Sequence, residues 1–358
     1  MPGARLHARF LLCFFCFFCL LCLFPLKGSE APSLSLPTAA AEPPSPLRFA
    51  VIGDSGSGDE NQRLIARRMA EWHAKLPFGL VLMLGDNVYG GLLGWGGGNQ
   101  KDFPEKFDRP YAELLGRGVI FRAALGNHDL RHRDGLDLVE SYDRFHIERP
   151  DGYYSFTAGT WHPAAGAAGL NEKGGTVPLV EFFVLNTVRL EKNKKDPEQL
   201  EWLERALGAS RARWRIVYGH HPLHSTGRRH GPDERMRAKL EPLFFASDQP
   251  RVHVALAGHD HIYQRFQPQG GIIYFVCGSS GKLRRRNADP DPGVAAVNDR
   301  EHVFMLWEAT PEELRFRAIN QHGLAFDCGV LRAAGEIETV ACPLLGADSP
   351  AGAQGSAR

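Results

Sequence analysis

The sequence predicts an α/β domain whose chemistry lies along one edge of a parallel-rich sheet. Three observations carry this. First, five apolar runs end in glycine followed at once by Asp, Asn or His: Phe49–Ile52 into Gly53-Asp54, Leu80–Leu84 into Gly85-Asp86-Asn87, Val119–Leu125 into Gly126-Asn127-His128-Asp129, Trp214–Tyr218 into Gly219-His220-His221, and Arg251–Ala257 into Gly258-His259-Asp260-His261. Gly-Asp and Gly-Asn pairs make turns on their own, but five in series fit strand ends that present ligands at a sheet's carboxyl edge. Second, Asp59–Lys75 carries Leu64, Ile65, Ala66, Met69, Ala70 and Trp72 at helical spacing, so the first two runs and this helix form a β–α–β unit. Third, a second group of strands with its own helices follows. His259 and His261 stand at i and i+2 after a strand, where paired imidazoles can face one ion.

Taken in order as Gly-Asp-x-Gly, Gly-Asp-x-x-Tyr, Gly-Asn-His-Asp, Gly-His and Gly-His-x-His, these blocks resemble the calcineurin-like metallophosphoesterase superfamily. Tyr89 in the second block is similar to the purple acid phosphatase branch, in particular its small, single-domain members of the tartrate-resistant acid phosphatase kind. The likeness runs from about Leu47 to Phe275. It implies a four-layer α-β-β-α sandwich with mixed sheets and a dinuclear site at the strand carboxyl ends. It also implies two ligand sets: Asp54, Asp86, Tyr89 and His261 for one ion, and Asp86, Asn127, His220 and His259 for the other, with Asp86 bridging.

Hard oxygen donors with imidazoles and no thiolate suit iron, manganese or zinc. A phenolate favours a trivalent ion, so the expectation is Fe(III) in the first site and Fe, Zn or Mn as a divalent ion in the second. Such a pair clamps phosphate oxygens and activates a water, giving hydrolysis of phosphomonoesters by a metal-bound hydroxide. His128, and His230 in Arg229-His230-Gly231-Pro232, are the candidates for steadying the phosphate and protonating the leaving group. In a purely structural role His128 would instead be bonded to Asp129. A phosphodiesterase or nucleotidase uses the same ligands and is the alternative. A secreted binding protein that keeps only the fold is disfavoured because every expected ligand is present.

The remaining elements follow in order. Residues Met1 to Leu26 have a basic start (Arg5, His7, Arg9) and an apolar body rich in Phe, Leu and Cys. Residues 1–27 read as a cleaved signal peptide, with an uncleaved anchor over 10–26 as the alternative; the expected location is secreted or periplasmic. Residues 28–46 are a Pro/Ala/Ser-rich linker, 47–343 the catalytic domain, and 344–358 a disordered tail. Gly90–Gly98 reads as a rim loop. Phe103–Leu115 is helical with a break at Pro110, and Tyr153–Phe156 and Val180–Asn186 are strands. Gln199–Leu207 is an amphipathic helix, Glu234–Phe245 a helix interrupted by Pro242, and His302–Val330 two or three strands.

Cys277 reads as a buried small hydrophobe, whereas Cys328 and Cys342 flank a short segment and are expected to pair. His221 is read as shaping a turn, and His224 as reaching the site or capping its loop. His253 is expected to point away from Val252 and Val254. His132, His146, His162, His302 and His322 have no constellation. Asp260 is expected to orient a ligand histidine or meet solvent. Lys282, Arg284, Arg285 and Arg286 read as a solvated basic loop, or else as a device that draws in anions. The formal net charge of +1 and 23% charged residues show no polybasic bias toward nucleic acid; the resemblance implies a small phosphoester or phosphoprotein as partner, and a membrane enters only if the N-terminus stays uncleaved.

Overall fold

The computed structural model describes residues 45–90, 96–97, 101–131, 142–147, 151–162, 175–191, 194–247, 249–332 and 337–342. The expected signal segment, most of the linker, the terminal tail and most of the Gly90–Gly98 and Pro163–Gly175 stretches lie outside them. All described residues belong to one compact unit, Pro44–Arg358. No described helix is long and apolar enough to cross a membrane.

Two seven-stranded sheets organise the chain. The strands are β1 (Leu47–Ile52), β2 (Leu80–Met83), β3 (Ile120–Ala123), β4 (Tyr154–Trp161), β5 (Val177–Val184), β6 (Trp214–Tyr218), β7 (Val254–Ala257), β8 (Tyr263–Phe266), β9 (Ile273–Cys277), β10 (Val294–Asn298), β11 (Val303–Ala309), β12 (Glu313–Asn320), β13 (Ala325–Arg332) and β14 (Ile337–Thr339). The first sheet runs β14-β13-β12-β11-β1-β2-β3 and the second β10-β8-β9-β7-β6-β5-β4. Each sheet has a parallel centre: β1, β2 and β3 in the first, and β5, β6, β7 and β9 in the second. Antiparallel strands flank both centres.

Side-chain alternation explains the layering. Phe49 and Val51 of β1 face the second sheet and pack with Phe182, Trp214, Ile216 and Trp307. Ala50 and Ile52 face the other way, onto Ile65, Ala66 and Met69 of α1 (Glu60–Lys75). On the far side of the second sheet, Phe183 and Val217 pack against Leu203 and Leu207 of α3 (Pro197–Ala209) and Met236 and Leu240 of α4 (Glu234–Leu240). Three apolar interfaces therefore separate four layers, as the α-β-β-α expectation requires. Strands buried on both faces, such as β2 and β7, read as unbroken apolar runs for this reason.

Local chemistry sets the helix ends. The Asp59 carboxylate accepts from the amides of Asn61 and Gln62 and starts α1, and Asp196 caps α3 through the Gln199 amide. The expected helix over Phe103–Leu115 is a π-helical turn, Pro104–Asp108, followed by α2 (Ala112–Gly116), with the break falling at Pro110. Pro242 likewise converts the end of α4 into a 3-10 turn, Glu241–Phe244. His302–Val330 gives three strands, and β14 closes the sheet edge. Cys328 on β13 is bonded to Cys342, with Cα atoms 5.3 Å apart, and Cys277 is fully buried. Strands β8 and β10 were not expected. Strand β8 hides Arg265, whose guanidinium grips Asp327 through two 2.8 Å hydrogen bonds.

Candidate metal centre

Each candidate donor follows a parallel strand at its carboxyl end. Asp54 comes after β1, Asp86 after β2, Asn127 after β3, His220 after β6, and His259 and His261 after β7. The backbone turns hard there. Asp54, Asp86 and His259 hold left-handed φ values of 51°, 52° and 69°, a region that side chains other than glycine rarely adopt. Glycine lets the turns close up. A Cβ on Gly126 would overlap the Asp86 amide and carboxylate, and one on Gly258 would lie 2.6 Å from Asp54 Oδ2.

Two groups of donors result. In one, Tyr89 Oη is 3.0 Å from Asp54 Oδ1 and 3.4 Å from His261 Nε2, and His261 Nε2 is 3.4 Å from Asp54 Oδ1. In the other, His220 Nε2 lies 3.1 Å from Asn127 Oδ1, 3.1 Å from His259 Nδ1 and 3.5 Å from Asp86 Oδ1. Ligands about 2.1 Å from one ion and at right angles to each other stand about 3 Å apart, so both groups have the spacing of one coordination shell. The second makes the stronger case. His220 Nδ1 donates to the Leu84 carbonyl at 2.9 Å, which leaves Nε2 as a bare lone pair. That lone pair faces an amide oxygen and a carboxylate oxygen, an arrangement that a bound cation satisfies.

Electrostatics agree. Burial pushes the Asp54 carboxyl up to about 8, despite the pull of His220. Burial also opposes charge on Asp86, but His220 and His128 hold it below the usual carboxylate range. Burial and the two carboxylates drive Tyr89 well above an ordinary phenol, so it ionises only onto a strong Lewis acid. Burial holds His261 at about 4 and His259 well below its usual value, leaving both imidazoles neutral and able to coordinate. The residues present thus fit two ions.

The two candidate catalytic histidines border the same cavity, about 280 Å³ in volume. The His128 ring lies 4.5 Å from Tyr89, with Nε2 3.9 Å from Asp86 Oδ2. The His230 ring stands 4.2 Å from His259 at the rim. Enclosure there, with His261, Arg284 and Arg229, holds His230 at about 4.

Other readings change. Asp129, the partner expected of a structural His128, is engaged elsewhere. Its carboxylate instead accepts from the amides of Asn87, Val88 and Gly126 and from the Asn87 side chain, tying the second and third ligand turns together. Asp260 neither orients a ligand ring through a hydrogen bond nor meets solvent. It is fully buried and accepts from Ser225 Oγ at 2.5 Å, fixing the start of the loop that carries His230. His221 does more than shape a turn: it bonds Thr187, stands 3.2 Å from Glu191 and packs on the His259 ring at 4.4 Å. His224 pairs with Glu241 rather than reaching the donors. His253 accepts from the Arg215 amide and His302 bonds the Ser279 carbonyl, both satisfied structural roles. His132 lies outside the described residues. The basic run divides: Lys282 and Arg284 line the cavity, while Arg285 and Arg286 are exposed.

Comparison with known proteins gives this geometry its context. Residues 47–263 match calcineurin-like phosphoesterase. The chain belongs to that family. It is 30% identical over 271 residues to human (Homo sapiens) tartrate-resistant acid phosphatase type 5, covering 69% of this chain and 77% of the relative. Purple acid phosphatase 7 of Arabidopsis thaliana is 28% identical over 280 residues, covering 75% and 81%. Among solved structures, the purple acid phosphatase PPD1 of yellow lupin (Lupinus luteus) superposes with a TM-score of 0.61 at 17% identity, over 80% of this chain and 54% of that one. GAP50, the anchor in the inner membrane complex of Plasmodium, superposes at 0.64 and 17% identity, over 84% and 90%. Homology to purple acid phosphatases implies a dinuclear metal centre and a phosphoester hydrolase.

Proposed function

We propose that this phosphoesterase is a phosphomonoesterase of the acid phosphatase kind, with Fe(III) held by Asp54, Asp86, Tyr89 and His261, and a divalent Fe, Zn or Mn held by Asp86, Asn127, His220 and His259. The observation that carries it is the convergence of two donor groups on Asp86, one of them containing a buried phenol. When bound, the ions supply Lewis acidity toward phosphate oxygens and a more acidic water.

The chain's own residues do the rest. Asp86 accepts from the His128 backbone amide at 2.8 Å, which ties the position of His128 to that carboxylate. His128 and His230 face the cavity from opposite ligand sets, His128 beside Tyr89 and His230 beside His259. A phosphate between them meets a hydrogen-bond donor on each side, and His128 is the ring that hands a proton to the departing alkoxide. His128 is the better positioned, being packed on Tyr89 and mostly buried.

The test is a visible spectrum with metal analysis and assays on p-nitrophenyl phosphate and its bis-ester. A broad green band, about two metals per chain including iron, and monoester cleavage at mildly acidic pH are expected. A colourless protein that cleaves only the bis-ester would replace the reading with a diesterase, and a protein that takes up no metal would end it. We further propose that residues 1–27 direct export; the mass of the exported protein's N-terminus checks this.

A further inference from the structure

Among the described residues, three cations at the metal-site cavity have no anionic side-chain partner. Arg229, Lys282 and Arg284 all line it, and none forms an ion pair with a described carboxylate. Neighbouring Arg228, by contrast, is engaged with Asp289 at 2.6 Å. Arg284 also keeps a buried Nε with no hydrogen-bond partner among the described residues. Among the described residues, Asp86 is the only acidic side chain lining this cavity, and it is already committed to the donor groups.

These cations are held in register with the site. The Lys282 amide donates to the Asp54 carbonyl at 3.1 Å and the Arg284 amide to the His261 carbonyl at 2.9 Å. Lys282 Nζ sits 4.9 Å over the Tyr89 ring, close to the donors themselves. Arg229 lies where this cavity opens into a neighbouring hollow of about 710 Å³.

A phosphate dianion is the natural counterion for two ions held by a few ligand carboxylates. It leaves Arg229 and Arg284 unanswered. Arginine forks suit phosphate by geometry as well as charge. We propose that the substrate carries a second phosphate beside the scissile ester, received by Arg229 and Arg284. This rests on the phosphatase reading above. The neighbouring hollow, lined by Arg131, Arg229 and Arg235 as well as Glu191, Asp233 and Glu234, gives the second phosphate room beside the donors.

The experiment compares kcat/KM for fructose 6-phosphate and fructose 1,6-bisphosphate on the metal-loaded enzyme, with p-nitrophenyl phosphate as reference. The bisphosphate is expected to be favoured about tenfold, beyond the statistical gain from two cleavable groups. Arg229→Gln and Arg284→Gln should each lower kcat/KM for the bisphosphate more than for the monophosphate, and added salt should shrink the preference. In metal-depleted protein, where neither sugar is cleaved, the bisphosphate should raise Tm more than the monophosphate does. Equal kcat/KM values, or equal losses on both substrates in the variants, would overturn the proposal while leaving the phosphatase reading intact. Failure to cleave even p-nitrophenyl phosphate would remove both.

Discussion

The two sheets contribute different chemistry to one site. The first supplies oxygen: Asp54, Asp86 and Asn127 follow β1, β2 and β3, and Tyr89 follows in the same turn as Asp86. The second supplies nitrogen: His220 follows β6, and His259 and His261 follow β7. Neither sheet alone completes a donor group, since each group mixes the two. The centre is thus a joint product of sheet-on-sheet packing, and its donor distances depend on the apolar layer around Phe49, Phe182 and Trp307. The oxygen side also carries more backbone strain, with Asp54 and Asp86 both left-handed against His259 alone.

Breaking the shared residue should have the largest effect. Asp86→Asn takes a charge from both groups, so metal analysis should show both ions depleted, and monoester hydrolysis should fall by more than about 100-fold. Splitting the halves comes next. Tyr89→Phe should abolish the visible band while one divalent ion stays bound. His220→Ala should keep the band and lose the divalent ion. If both variants lost both ions equally, the two-group division would be wrong.

A smaller effect tests the close approach behind the oxygen side. Gly126→Ala forces a methyl group into Asp86 and should destabilise by about 1–3 kcal/mol, read from denaturant midpoints. The smallest tests the nitrogen side. The His221 imidazole, 3.2 Å away, and Lys194 hold Glu191 at about 2, below its ordinary value. A depressed carboxyl stabilises above its unfolded pKa and loses that contribution as pH falls through the folded one. Glu191→Gln should therefore lower stability by about 1–2 kcal/mol near neutral pH, with the gap closing as pH drops from about 4.5 toward 2.

The contrast also explains what could be read from sequence. Each donor announces itself by sitting one to four residues past a glycine that ends an apolar run, so the positions that meet here were all visible as local patterns. The layers were legible for the same reason, since the runs are apolar and bounded. What stayed hidden acts across the chain. Asp129 grips amides 41 and 42 residues away, and Asp260 bonds a serine 35 residues away. Arg265 looks like a surface residue until Asp327, 62 residues on, neutralises it inside the fold. The basic run gave no hint of its division, because which side chains turn inward is set by the anchoring of its amides to Asp54 and His261.

The Cys328–Cys342 bond has a consequence away from the site. It fastens the segment after β14 to β13, and the Val340 amide bonds the Cys328 carbonyl at 3.1 Å. Strand β14 is only Ile337–Thr339, too short to hold its place by ladder hydrogen bonds alone. Reduced, it would peel away and leave β13, eight residues long, as a bare sheet margin able to pair with another molecule. The sulfur link therefore acts as a guard against self-association, and protein made under reducing conditions should show its defect first as turbidity rather than as lost catalysis.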